Sequence, residues 1–246
     1  MAQQSRQDNN TVPFIRSFIS LYKGAETIIQ DAGRTIALAV YTLMSKIPVS
    51  LPTTGTADEG NTGDGTCTGV ALAAGDLPRV GTWVVECVTK IATGGVFKLE
   101  DPDGNIIVND LTITLTAATT FIVNAAGMTF ILTPGATDFE VGDKFTFAAS
   151  AVAKWTAFDP TAVNGAQIPR GVYMGDEIAA ATIVAGDVAD APILVGGACT
   201  VDADQLVMEA GDLDTVLAGG GTVRDALANI GIFTEDTVDI DELENS

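Results

Sequence analysis

The chain contains no histidine. That removes His-based catalytic triads, most zinc enzymes and the commonest general base. Cysteine is scarce and odd in number: Cys67, Cys87 and Cys199, with no pair at metal or redox spacing. Cys87 lies in the apolar pattern Trp83-Val84-Val85-Glu86-Cys87-Val88, which reads as a buried thiol; a Cys67–Cys87 bridge is the competing assignment. Basic residues are few. Twelve Lys and Arg stand against 32 Asp and Glu, a net charge of −20. Such a field repels phosphate backbones and excludes nucleic acid as a partner. There is no GxSxG elbow, P-loop or dinucleotide fingerprint. Nothing resembles a signal peptide, because the first dozen residues are polar. The most apolar segment, 36–51, contains Lys46 and Pro48 and is too short to span a bilayer. The expectation is a soluble protein made in a cytoplasm, with no membrane partner.

What is present is β-forming. The chain is 47% hydrophobic with 26 glycines among 246 residues, so it can bury a core and must turn often. Threonine, valine and glycine dominate its middle. Leu111, Ile113 and Leu115 alternate with Thr112, Thr114 and Thr116, a period of two. Phe145 and Phe147 flank Thr146 in the same way. Asp101-Pro102-Asp103-Gly104 reads as a type I turn and Gly142-Asp143 as a second hairpin signal. Ile36, Leu38 and Val40 predict a strand, as do 154–158, 182–188 and 191–194. One helix is predicted, Val223 to Asn229, with Thr222 as N-cap, Asp225 completing a capping box and Gly231 at C′. The fold class is therefore mainly β.

The charge is uneven. Residues 1–50 carry 5 basic and 3 acidic groups, residues 51–150 carry 4 and 12, and residues 151–246 carry 3 and 17. A mildly basic N-terminus beside an acidic body can be steered to an acidic partner; five scattered cations of no consequence is the plainer account. Residues 13–30 place Phe14, Phe18, Leu21 and Tyr22 on one face of a helix, yet Pro13, Gly24 and the β-branched residues favour extended chain. Either this arm packs on its own domain or it lies on another chain as an added strand. The acidic end after residue 235 reads as a solvated tail.

The search for chemistry yields no catalytic, cofactor-binding or metal-binding residues. Gly60 to Gly65 is glycine-rich but lacks a strand-to-helix setting, so it reads as linker. Asp101 to Asn105 starts like a calcium loop, but Ile106 stands where such a loop needs its sixth-position glycine and Thr112 where it needs its twelfth-position acid. Pairs such as Asp176/Glu177 and Asp202/Asp204 are expected by chance in so acidic a chain. The reading is a structural or binding protein, not an enzyme.

Two stretches, 52–66 and 148–151, read as linkers that bracket a self-contained β block. With that block lifted out, the flanks form a pattern. Gly33-Arg34-Thr35-Ile36 through Ile47 resembles the opening strand region of the lambda-type phage head decoration proteins. Pro160, Asn164-Gly165-Ala166-Gln167, Gly171-Val172-Tyr173, Ala189 to Val195, Gly197 to Val201 and the ending Ala226 to Ile232 are similar in spacing. The block itself, with Gly94-Gly95-Val96-Phe97, Asp101 to Gly104 and Asp138 to Phe145, resembles the β-domain inside long members of that family. The resemblance covers roughly residues 30–235 and leaves out the arm.

The resemblance implies a split β-rich base at 31–52 and 153–235, an inserted antiparallel β-sandwich at 53–152, an arm at 1–30 and an acidic tail at 236–246. It implies a capsid cement protein, made in the host cytoplasm and placed on the outer surface of the virion. There it would bind the major capsid protein, as a homotrimer or alternatively a dimer, and brace the expanded head against DNA pressure. The arm residues expected to contact the shell are Phe14, Ile15, Arg16, Phe18 and Tyr22. Removal of residues 1–30 is then expected to leave a folded chain. The rival readings are a tail-tube or tail-tip protein and a virion-surface glycan-binding module, whose signature is exposed aromatics on the insert.

Overall fold

The structure is a computed structural model that describes residues 14–92, 94–114 and 117–236. The polar start, Pro13, Leu115 and nearly all of the expected acidic tail lie outside the described residues. The architecture is mainly β. Thirteen strands are described: β1 (Ile15–Ile28), β2 (Leu43–Ser50), β3 (Thr56–Ala57), β4 (Thr66–Leu72), β5 (Gly81–Ile91), β6 (Gly94–Glu100), β7 (Ile106–Ile113), β8 (Thr119–Val123), β9 (Met128–Thr133), β10 (Lys144–Ala157), β11 (Pro169–Tyr173), β12 (Val188–Asp202) and β13 (Ile232–Glu235). Two helices accompany them, α1 (Ala180–Ala185) and α2 (Val223–Asn229).

The chain divides into two compact units. The first takes residues up to Ser45, Trp155–Pro160 and everything from Ile168; the second takes Lys46–Lys154 and Thr161–Gln167. The boundaries thus differ from those read off the sequence. Residues 46–52 and 161–167 go with the insert, and the described part of the arm goes with the base.

In the first unit the strand order is β1-β12-β11-β2, with β13 beside β12. β1 runs antiparallel to β12 from Ile15↔Val201 to Ile28↔Val188. β13 runs parallel to β12, Cys199↔Ile232 to Asp202↔Glu235. A parallel pair needs a long crossover, and the segment carrying α2 supplies it. α2 has the capping box that its sequence predicts: Thr222 Oγ1 accepts from Asp225 N, and Thr222 N donates to Asp225. Val223 and Leu227 are its buried face, packed with Leu43, Val172, Leu194 and Ile232. Leu38, Met44, Trp155, Tyr173 and Ile193 form a second cluster.

The second unit is a sandwich. β10-β5-β6-β7 form one antiparallel sheet and β4-β9-β8 the other. Alternation decides what is inside: Trp83, Val85 and Cys87 of β5, Met128, Phe130 and Leu132 of β9, and Phe145 and Phe147 of β10 are all buried in one core. Phe139 meets Phe97 edge-on at 5.0 Å and Phe145 at 6.1 Å. All three cysteines are free and buried, so no Cys67–Cys87 bridge forms. Burial pushes the Cys67 thiol up to about 11.

Several sequence expectations are corrected. Residues 36–40 are not a strand. They carry only the isolated bridge Leu38↔Ile178, and at Tyr41 the backbone turns through φ 65 before β2 begins. Thr182 to Val188, expected as strand, is instead mostly α1 and the turn after it. The stretch 148–151 is no linker but the middle of β10, where Ala148 and Ala149 pair with Thr82 and Gly81. Nor is 52–66 a free tether. Asp143, buried, accepts from the backbone N–H of Thr62, Gly63 and Glu140, and Asn61 exchanges two hydrogen bonds with Lys144. Gly142-Asp143 makes a turn rather than a hairpin, tied to β5 through Cys87.

The Asp101 turn closes the β6–β7 hairpin. Gly104 N donates to Asp101 O at 2.9 Å, and the Asp101 carboxylate accepts from Asp103 N, Asn105 N and the Asn105 amide. These bonds, the Asn105 side chain first, with help from Arg79, hold the Asp101 carboxyl below the usual carboxylate range. A depressed carboxyl contributes stability above its unfolded pKa of about 3.9 and loses it as pH falls through the folded value. Asp101→Asn should therefore lower the urea midpoint at neutral pH, and its deficit against the wild type should shrink as pH falls below the unfolded carboxyl's value of about 3.9. A deficit that does not change with pH would contradict this.

Candidate interaction site

The arm residues are organised by β1. Its inner edge is paired with β12 from Ile15 to Ile28, with four register shifts along the way. Its outer edge is paired, among the described residues, only at the far end, where Ile28 meets Trp155 of β10. Among the described residues β1 is thus a 14-residue strand with one satisfied edge and one edge open up to Ile28.

Three anchors hold it. Phe14 is 4% exposed and stacks on Tyr41, with ring centroids 4.0 Å apart and planes at 8°. Arg16 Nη2 donates to Asp202 Oδ2 at 2.8 Å, and Asp202 is almost fully buried. Arg16 Nη1 donates to the Asp236 carbonyl at 3.3 Å and lies 3.9 Å from Glu235. The Asp202 hydrogen bond, with the charges of Asp202, Glu235 and Asp204, raises the guanidinium above its ordinary value. At the other end Ile28 is buried, and Trp155 Nε1 donates to Glu26 at 2.8 Å.

Between the anchors β1 sits close on β12 because β12 has glycine there. Gly197, at φ 130, faces Leu21, and a Cβ on it would stand 2.2 Å from the Ser20 carbonyl oxygen. Gly231, at φ 83, is equally tight, its notional Cβ 1.8 Å from the Gly197 oxygen. Both positions require glycine.

The five expected contact residues therefore part company. Phe14 is core, Arg16 is tied to the base, and Ile15 is half-buried against the same cluster. Tyr22 stands opposite Gly196 in the ladder. Phe18 is 64% exposed. Between Arg16 and Lys23 the strand carries no charge: Ser17-Phe18-Ile19-Ser20-Leu21-Tyr22. Of the two accounts of the arm, its described part is an edge strand packed on its own domain, and deletion of 1–30, expected to leave a folded chain, would strip β12 of that partner.

Sequence reading missed Asp202 as the buried partner of Arg16 and missed Phe233 altogether. The signal for Phe233 was local: an aromatic alternating with buried Ile232 just after Gly231 points to the outer face. Among the described residues no group of three or more His, Cys, Asp or Glu could hold a metal ion.

No protein-family model matches the chain, and no curated protein matches it. Two solved structures of FlgL from Xanthomonas campestris, in two crystal forms, are similar at 18% and 19% identity. Each alignment covers 47% of this chain and 34% or 33% of that one, with TM-scores of 0.32 and 0.31. A likeness at that level carries no conclusion about fold or function.

The division of labour along β1 is measurable. Phe14→Ala empties a buried, stacked site and should cost about 3 kcal/mol or more in urea unfolding. Phe18→Ala should stay within about 0.5 kcal/mol of the wild type. Equal losses at the two positions would contradict the assignment of one to the core and the other to the surface.

Proposed function

We propose that the chain is a virion structural protein that decorates the outer surface of an expanded phage head and stabilises it against internal DNA pressure. The observation that carries this is the outer edge of β1, open among the described residues up to Ile28, with Phe18 standing in solvent beside it. A shell protein can add backbone hydrogen bonds along such an edge with little demand on its side chains. The resemblance of the flanking segments to lambda-type decoration proteins supplies the kind of partner, the major capsid protein. The arrangement suits a trimer, because three weak edges engaged together multiply avidity without new contacts. The net charge of −20 keeps unbound copies apart. No residue is assigned a catalytic role.

The glycan-binding alternative needs exposed rings on the insert. Trp83, Phe97, Phe130, Phe139, Phe145 and Phe147 are buried and Phe121 is half-buried against the same core. The insert therefore offers sugar no stacking platform, and the decoration reading is preferred. Against a tail protein, the choice rests on which particle the chain binds.

The test is binding of purified chain to expanded heads that lack it, with tails as the comparison. The full chain should decorate heads and not tails. Phe18→Ser should weaken decoration by about ten-fold or more, since losing a buried Phe removes about 1.5–3 kcal/mol per site. Undiminished decoration by the variant would remove β1 from the contact, and preference for tails would overturn the reading. Light scattering of the free protein should give 25.3 kDa or about three times that mass; a stable dimer would contradict the trimer.

A further inference from the structure

We propose that a notch between Phe18 and Phe233, with the open edge of β1 beside it, receives an extended segment of a partner protein bearing one large apolar side chain flanked by lysine or arginine. The proposal rests on β1 being the contact strand, and not on the identity of the shell.

The notch is built by three strands. Phe18 of β1 and Phe233 of β13 wall it, and Ser17, Ala198, Cys199 and Thr200 line the rest. The two strands flank β12 on opposite sides where Phe18 pairs with Cys199 and Thr200 with Phe233. The depression holds about 190 Å³. A pocket for a small molecule runs to roughly 300–1,000 Å³, so this one is sized for a single side chain. Phe18 is 64% and Phe233 50% exposed, two large rings left in water on either side of one strand. Open edges are ordinarily guarded by charge, yet residues 17–22 of this edge carry none. An added strand on β1 would run beside the depression that Phe18 and Phe233 both line.

Charge selects the occupant. Arg16 is paired with Asp202 and Glu235, and Arg224 lies within ion-pair distance of Asp214 and Asp236. Among the described residues, Asp202, Asp204, Glu235, Asp236 and Asp214 outnumber these two cations. Lys23, exposed further along β1, does not restore the balance. The whole chain is at −20, so a second copy is repelled from this face and a basic-flanked segment is attracted.

The experiment uses the full chain and a labelled decapeptide of alternating lysine and valine with one central leucine, read by fluorescence anisotropy at about 0.15 M salt. Saturable binding is expected, weakened about ten-fold by Phe18→Ser and by Phe233→Ser. It should be lost when glutamate replaces the lysines, and lost when the amides along one edge of the peptide are N-methylated. Both substituted residues are exposed, so unchanged far-ultraviolet circular dichroism of the variants secures the comparison. Equal binding by wild type and both variants, or equal binding of the methylated peptide, would reduce the effect to bulk charge attraction and overturn the proposal. Self-association abolished by Phe18→Ser would overturn it in favour of a second copy. Binding seen only after removal of residues 237–246 would overturn it in favour of the chain's own end. Failure of the peptide alongside loss of head decoration by Phe18→Ser would defeat this inference and leave the decoration reading standing.

Discussion

The backbone of a strand has two edges, and every amide and carbonyl on each must meet a partner or water. Among the described residues β1 has its partners on one side, except where Ile28 meets Trp155 at its end. The inner edge is fixed to β12 by Phe14 on Tyr41, by Arg16 on the buried Asp202 and by Ile28 in the core. Those anchors fall near the ends of the strand. In the uncharged middle, 17–22, Phe18 and Leu21 stand in solvent. Anchored ends and a solvent-exposed middle make a pre-organised edge, and pre-organisation removes much of the ordering cost that a flexible arm would incur on binding.

The inserted unit obeys a different constraint. Its aromatic residues point inward and assemble one core between two sheets, with Phe139 at the meeting point of Phe97 and Phe145. Its glycine-rich approach is closed down by Asp143, which binds the N–H groups of Thr62 and Gly63. Gly65 lies against the Phe139 ring, where a Cβ would stand 2.2 Å from Cζ. This unit spends its aromatic surface on stability, whereas the base leaves two phenylalanines outside.

What was legible in the sequence was whatever local chemistry decides. The Asp101 turn, the Thr222 cap with its Asp225 partner, and the alternation of Phe145 and Phe147 all depend on neighbours in the chain, and each is found where its residues predict it. Features decided by tertiary pairing were not legible. Ala148 and Ala149 looked like a break and are strand because Thr82 and Gly81 pair with them. Residues 36–40 alternate like a strand, but the ladder begins only after the turn at Tyr41. The candidate site was half visible. The arm's aromatics drew notice through composition, but which were core and which surface depends on Tyr41, Asp202 and Phe233, distant in sequence and adjacent in space.

Amide hydrogen exchange along residues 15–27 tests the central claim most directly, because it reads the two edges of β1 separately. In the free protein the amides facing β12 should be protected and those facing outward should exchange quickly. On decorated heads the outward set should gain protection while the inward set stays unchanged. Outward amides that are already protected in the free chain, or that remain fast on the particle, would contradict the account of β1 as an open edge filled by a partner.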